Sequence, residues 1–301
     1  MRGFEEVIGA NQEWKTGSGE TAPGSIFHAR AARILLFALA ALILAVAPVI
    51  SARAAEWKVL EEKKGGKVSR EGWVDESGSL VNGPLGYAYT TYQYDSGGAV
   101  TERYYTAEGE PFMTAGGYCG KTLKYGNKNR LEEIVYLDEN GNRAMNAAGY
   151  SRVRIRYMST GDVTYVYYYG QKNKQETVPE LGYAEIENTY RGTTLTGRTW
   201  LDANQKPVDT SAGYAAMIQR VNKSNQILEI HYEHADGSAA VCKDGWYSCQ
   251  RELDKEGRML SATYTNKSGI LTNTSGGYAR EIRAYLSDGS YTVIRQDSQG
   301  L

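Results

Sequence analysis

Histidine, cysteine, proline and phenylalanine are all scarce in this chain of 301 residues, and each scarcity excludes something. The three histidines are His28, His231 and His234. On a strand, residues three apart point to opposite faces, so His231-x-x-His234 predicts one exposed and one packed imidazole and no metal site. Three cysteines permit at most one disulfide. Cys242 and Cys249 are the candidate pair, provided that Lys243-Asp244-Gly245 turns the chain back, and Cys119 reads as a small buried residue. Charge of one sign is also missing. A formal net charge of -1 and a pI near 6.4 exclude a nucleic-acid binder, which needs a basic excess.

Catalytic motifs are absent too. No Gly-x-Ser-x-Gly elbow, Gly-rich phosphate loop or serine flanked by a base occurs. Asp138-Glu139-Asn140-Gly141-Asn142 suggests a calcium loop, but its glycine comes fourth, whereas an EF-hand loop has it sixth and a bidentate Glu at the twelfth place. Turn chemistry explains the segment better. The sequence therefore nominates no catalytic residue, no cofactor and no metal.

Two compositional regimes remain. All 24 tyrosines fall between Tyr87 and Tyr291. Ahead of them lies an apolar run from Ile34 to Ile50, preceded by Arg30 and Arg33 and followed by Ser51-Ala52-Arg53-Ala54-Ala55. That is the layout of a secretory signal peptide, and Ala52 and Ala54 suit cleavage after Ala54. The run contains Pro48 and is shorter than the ~20 residues that span a bilayer, although an uncleaved anchor is the alternative. His28 precedes this site. The expected product is a secreted or cell-envelope protein with no membrane span in the mature chain.

Beyond residue 70 the chain repeats. A glycine-aromatic pair recurs at Tyr87, Tyr118, Tyr150, Tyr183, Tyr214, Trp246 and Tyr278, with intervals of 31, 32, 33, 31, 32 and 32 residues. So steady a period is the mark of stacked supersecondary units. A second glycine stands eight residues before the aromatic's glycine at Gly78, Gly109, Gly141, Gly237 and Gly269, while the fourth repeat has Gln205 near that place. After each pair the residues alternate. Val153 and Ile155 interleave with Arg152, Arg154 and Arg156, and Ala184-Glu185-Ile186-Glu187 keeps that phase with acids outward. A turn such as Tyr94-Asp95-Ser96-Gly97-Gly98 follows, then a second strand rich in aromatic and β-branched residues, such as Thr164 to Tyr169.

Helical periodicity is nearly absent after Ala55. The fold class is therefore all-β: an antiparallel tandem array of β-hairpin repeats, elongated or curled into a solenoid-like sheet. Residues 1–54 form an N-terminal extension and signal peptide, 55–70 a short lead-in, and 71–301 a half-unit plus about seven repeats.

The turn segments carry a family likeness. Tyr94-Asp95-Ser96-Gly97-Gly98-Ala99-Val100 and Leu253-Asp254-Lys255-Glu256-Gly257-Arg258-Met259-Leu260 resemble the Tyr-Asp-x-x-Gly-Arg-Leu core of YD repeats, the units of bacterial Rhs-type surface and toxin-shell proteins. Tyr136-Leu137-Asp138-Glu139-Asn140-Gly141 followed by Gly149-Tyr150 is also similar to the order found in cell-wall (choline) binding repeats, which are shorter and use Trp where this chain uses Tyr. Either likeness implies a cell-surface β-repeat protein, and the second implies a wall ligand.

The functional expectation is a non-catalytic protein whose partner is a cell-wall polymer, a glycan or a surface protein. A structural shell or spacer element is the alternative, and a hydrolase a further one. The periodic rings Tyr87, Tyr118, Tyr150, Tyr183, Tyr214, Trp246 and Tyr278 either form a ladder of ligand subsites or pack between neighbouring hairpins. Tyr89, Tyr105, Tyr167 and Tyr168 are the candidates for exposure.

Overall fold

The computed structural model describes residues 58–301. The expected signal peptide and its cleavage site lie outside the described residues. Among the described residues, seventeen strands follow one another. They are β1 (Lys58–Lys64), β2 (Lys67–Val74), β3 (Tyr89–Tyr94), β4 (Ala99–Tyr105), β5 (Gly120–Tyr125), β6 (Leu131–Leu137), β7 (Arg152–Tyr157), β8 (Val163–Tyr169) and β9 (Glu185–Arg191). Then come β10 (Thr194–Leu201), β11 (Ala216–Val221), β12 (Ile227–Glu233), the two-residue β13 (Ala239–Ala240), β14 (Ser248–Leu253), β15 (Met259–Thr265), β16 (Arg280–Tyr285) and β17 (Tyr291–Gln296). Each pairs antiparallel with the next, except that β14 lies against β12 beside β13. The product is one open meander, as the repeat predicts. Among the described residues no helix is long and apolar enough to cross a membrane.

The 55–70 segment, expected as a lead-in, supplies β1 and the start of β2. Its charged residues hide the strand from a hydrophobic pattern. What makes the hairpin is Gly65-Gly66, whose positive φ values of 59° and 78° fit the twist of a two-residue turn.

Within a unit, one backbone position stitches the sheet together. The residue after each glycine-aromatic pair is small in six of seven units, and Ala88, Ser151, Ala184, Ala215 and Ala279 are wholly buried. Its N–H closes its own hairpin, as Ser151 donates to Tyr169 O at 2.8 Å. Its carbonyl accepts from the preceding unit, as Tyr136 N–H donates to Ser151 O at 2.9 Å. The one large residue at this place, Tyr247, keeps the hairpin bond, its N–H donating to Thr265 O at 2.8 Å. The preceding glycine turns the chain into this position: Gly149 has φ +89°, and a Cβ on it would stand 2.9 Å from Pro179 Cδ.

The turns use aspartate as expected. Asp138 Oδ1 accepts from the N–H groups of Asn140 and Asn142 at 2.9 and 2.8 Å, which occupies the carboxylate with its own backbone. Where the glycine of this turn is missing, Asn173 and Gln205 take its conformation, at φ 62° and 61°.

The core is a row of rings on one face of the sheet. Trp73, Tyr87, Tyr104, Tyr118, Tyr136, Tyr150, Tyr168 and Tyr183 touch in sequence, with centroids 4.8 to 6.1 Å apart. Trp200, Tyr214, Tyr232, Trp246, Tyr264 and Tyr278 continue it at 4.5 to 5.9 Å. Most of these pairs are tilted or edge-on, the geometries that the ring quadrupole favours by about 0.5–1.5 kcal/mol beyond area burial. At the last hairpin, Arg295 stands opposite Glu281, where Tyr264 stands opposite Cys249 one unit earlier. Its guanidinium lies 4.7 Å from the Tyr278 centroid, and buried Glu281 bonds both it and Arg283.

Candidate ligand-binding face

All seven periodic rings belong to this row. Tyr118, Tyr183, Trp246 and Tyr278 are buried, and Tyr87, Tyr150 and Tyr214 half-buried. Tyr168 departs from expectation: it is only 3% exposed, because it shares the phase of buried Val166 and faces Tyr150 and Tyr183. The missed signal was a second periodic set, Trp73, Tyr104, Tyr136, Tyr168, Trp200, Tyr232 and Tyr264, one aromatic per second strand. Burial pushes these phenols up: Tyr87 to about 12, and Tyr168 well above the ordinary value of 10.

The opposite face displays a further set of tyrosines. Strand alternation places Tyr165, Tyr167 and Tyr169 on it from β8, and Arg152, Arg154 and Arg156 from β7. The register sets Arg152 opposite Tyr169, Arg154 opposite Tyr167 and Arg156 opposite Tyr165. On the other side of β8, Glu187 and Glu185 of β9 lie opposite Tyr165 and Tyr167. Each tyrosine in the centre of this face thus has a base on one side and an acid on the other.

Contacts fix the arrangement. The Tyr165 and Tyr167 rings lie nearly parallel, at 18° with centroids 5.7 Å apart. The Tyr165 hydroxyl donates to Glu187 Oε1 at 3.0 Å, and this bond, more than burial, raises the phenol's pKa. Arg152 lies over the Tyr169 ring, 4.1 Å from its centroid, and shares Glu133 with Arg154. Glu185 was expected outward and does lie on this face, yet it is only 3% exposed. Gln175, on the connector after β8, covers it and donates to its Oε2 at 2.8 Å. Burial raises the Glu185 carboxyl pKa, and the Gln175 bond partly opposes the rise.

A smaller version of the patch lies on β2–β4. Tyr89 and Tyr105 are opposite one another with rings 5.0 Å apart at 14°, and Arg70 lies 3.9 Å from the Tyr89 centroid. Both tyrosines are half-buried, as is Tyr167. Parallel rings flanked by fixed charges offer an apolar platform with hydrogen-bonding groups at its rim, and Tyr itself combines both characters.

The remaining candidates fall elsewhere. His231 lies on the tyrosine-bearing face between Glu229 and Glu233, and His234 leaves the strand to meet Asp209 at 2.8 Å. Among the described residues no cluster of His, Cys, Asp and Glu could hold a metal ion. Cys119, Cys242 and Cys249 are free thiols, with Cys119 and Cys249 buried. The turn expected between Cys242 and Cys249 is formed, with Gly245 N–H donating to Cys242 O at 2.9 Å.

Comparison with protein-family models gives no match, and comparison with curated proteins gives none either. The likenesses to YD and choline-binding repeats therefore rest on the quoted residues alone.

Proposed function

We propose that this chain is a non-catalytic secreted or cell-surface repeat protein that binds a glycan or cell-wall polymer through the face opposite the ring row. One observation carries the reading. The rings that recur with the repeat pack tilted or edge-on against one another in the row, whereas Tyr165 and Tyr167 lie half-buried and parallel on the opposite face. Glu187 and Arg156 flank Tyr165 at hydrogen-bonding reach of a polyol lying on the rings. The likeness to surface repeats fits the same role.

The test is a glycan array and a peptidoglycan pull-down with the purified chain and with the Tyr165→Ala/Tyr167→Ala double variant. Binding above a globular control, reduced at least tenfold in the variant with unchanged circular dichroism, is the expected result. Absence of binding to peptidoglycan, polysaccharide and whole cells would sink the reading.

A further inference from the structure

The ring row has one discontinuity, and a buried charge stands beside it. The ring contacts run unbroken to Tyr183 and resume at Trp200–Tyr214, whereas the other neighbours in the row meet ring to ring. On β9–β10, Asn188 lies opposite Arg198 on the ring-bearing face. In the preceding hairpin that place holds Ile155 opposite Val166, and in the following one Gln219 opposite Ile230. The fourth unit therefore carries a guanidinium where its predecessor carries a valine.

Arg198 is only 8% exposed and Asn188 6%. Arg198 Nε donates to Asn188 Oδ1 at 2.8 Å, while Asn188 Nδ2 donates to Val163 O at 2.9 Å, which fixes the amide oxygen toward the arginine. Among the described residues no carboxylate pairs with this cation; its electrostatic neighbours are the phenols of Tyr190, Tyr183, Tyr214 and Tyr168. The Trp200 ring centroid is 6.0 Å away. The two terminal nitrogens have no hydrogen-bond partner among the described residues and are not sealed from solvent.

Of the other buried charged side chains, Glu281 is matched by Arg283 and Arg295, whereas Glu185 has the Gln175 amide. A largely buried guanidinium without an anion is costly, and burial accordingly pushes its pKa down. On the adjacent strand β11, Met217 lies opposite Arg198, and two residues on, Gln219 Oε1 is buried without a hydrogen-bond partner. A fork of donors that reaches solvent and a buried, unpaired acceptor thus share one face of neighbouring strands.

We propose that Arg198 and Gln219 form a binding site for a hydroxylated carboxylate, a hydroxy acid or sugar acid. The planar carboxylate takes both terminal nitrogens of Arg198 in a bidentate pair, and a ligand hydroxyl donates to Gln219 Oε1. The aromatic rings beside the guanidinium wall the site. It lies on the opposite face from Tyr165 and Tyr167, so it stands or falls apart from the glycan reading above.

Calorimetric titration of the full chain with D-glucuronate, acetate and glucose at constant ionic strength tests it. In the Tyr165→Ala/Tyr167→Ala chain, which lacks the aromatic platform, glucuronate should bind saturably at one site, acetate several-fold more weakly, and glucose not at all. Arg198→Met should weaken glucuronate at least tenfold, while Tyr165→Ala/Tyr167→Ala leaves it unchanged. Asn188→Asp supplies the missing carboxylate internally and should both abolish glucuronate binding and raise Tm. The proposal is overturned if glucuronate shows no saturable binding, if glucose or acetate binds as tightly, or if both single variants bind glucuronate as well as the parent chain.

Discussion

Replacing Tyr168 by alanine removes the ring that contacts Tyr150 at 5.1 Å on one side and Tyr183 at 5.7 Å on the other. The residue is 3% exposed, and the surrounding Val153, Ile155 and Val166 are at most 2% exposed, so the wall around it has little room to collapse. Truncation of a buried aromatic costs about 3–5 kcal/mol, and a site so enclosed belongs toward the upper end, about 4 kcal/mol. Tyr168→Phe keeps both ring contacts and loses only the hydroxyl's bond with Tyr183, at about 1 kcal/mol. Three residues earlier on the same strand, Tyr165→Ala removes a half-buried ring and its bond to Glu187, also at about 1 kcal/mol. The assay is equilibrium urea unfolding followed by tyrosine fluorescence and circular dichroism. In a repeat array, stability is a sum of unit and interface terms, so the Tyr168→Ala lesion should also split the transition by uncoupling the two halves. Losses for Tyr168→Ala and Tyr165→Ala within about 1 kcal/mol of each other would refute the assignment of the two faces, since burial differences of this kind are worth about 1.5–3 kcal/mol.

Two further outcomes follow from local geometry. Gln205 holds φ 61° at a turn place where most other units have glycine, so Gln205→Gly should stabilise the chain by about 0.5–1 kcal/mol in the same urea assay. For Glu185, burial raises the folded-state pKa above the ordinary 4.5, so the native state favours the neutral acid. Its contribution is present below pH 4.5 and is lost as pH rises through the folded value. Glu185→Gln should accordingly raise Tm at pH 7 and change it little at pH 4; an equal gain at both would show that the carboxylate's ionisation is not the cause.

The repeat was legible because one residue type, glycine before an aromatic, is demanded by backbone conformation and by ring packing at once. Tyr150 and Gly149 show both demands in adjacent positions. Phase along a strand was legible where one face is wholly apolar, as with Val153 and Ile155 between arginines. It failed at Thr164 to Tyr169, where aromatics occupy both faces and alternation carries no contrast: Tyr168 is core and Tyr167 is not. β1 was hidden for the converse reason, since Lys58 to Lys64 are nearly all charged and only the Gly65-Gly66 turn betrays the hairpin. The burial of Glu185 depends on Gln175, a connector residue whose reach no local pattern encodes.

This division of labour bears on what the array can do. Because the ring row runs through every unit, stability is spread along the chain, and no single unit has to supply all of it. The opposite face is then free to differ between units, as the Arg70–Tyr89–Tyr105 and Arg152–Tyr169 patches already do. The ring-bearing face varies less along the row of rings, and a polar pair placed beside it costs stability unless something compensates. Asn188 and Arg198 are such a pair, in the one unit that also interrupts the ring row and replaces its turn glycine with Gln205. The preceding unit fills the same positions with Ile155 and Val166, and the following one with Gln219 and Ile230. The buried Asn188–Arg198 pair is accordingly the place on this face where a substitution that restores apolar contact, or one that supplies a carboxylate, should change stability most.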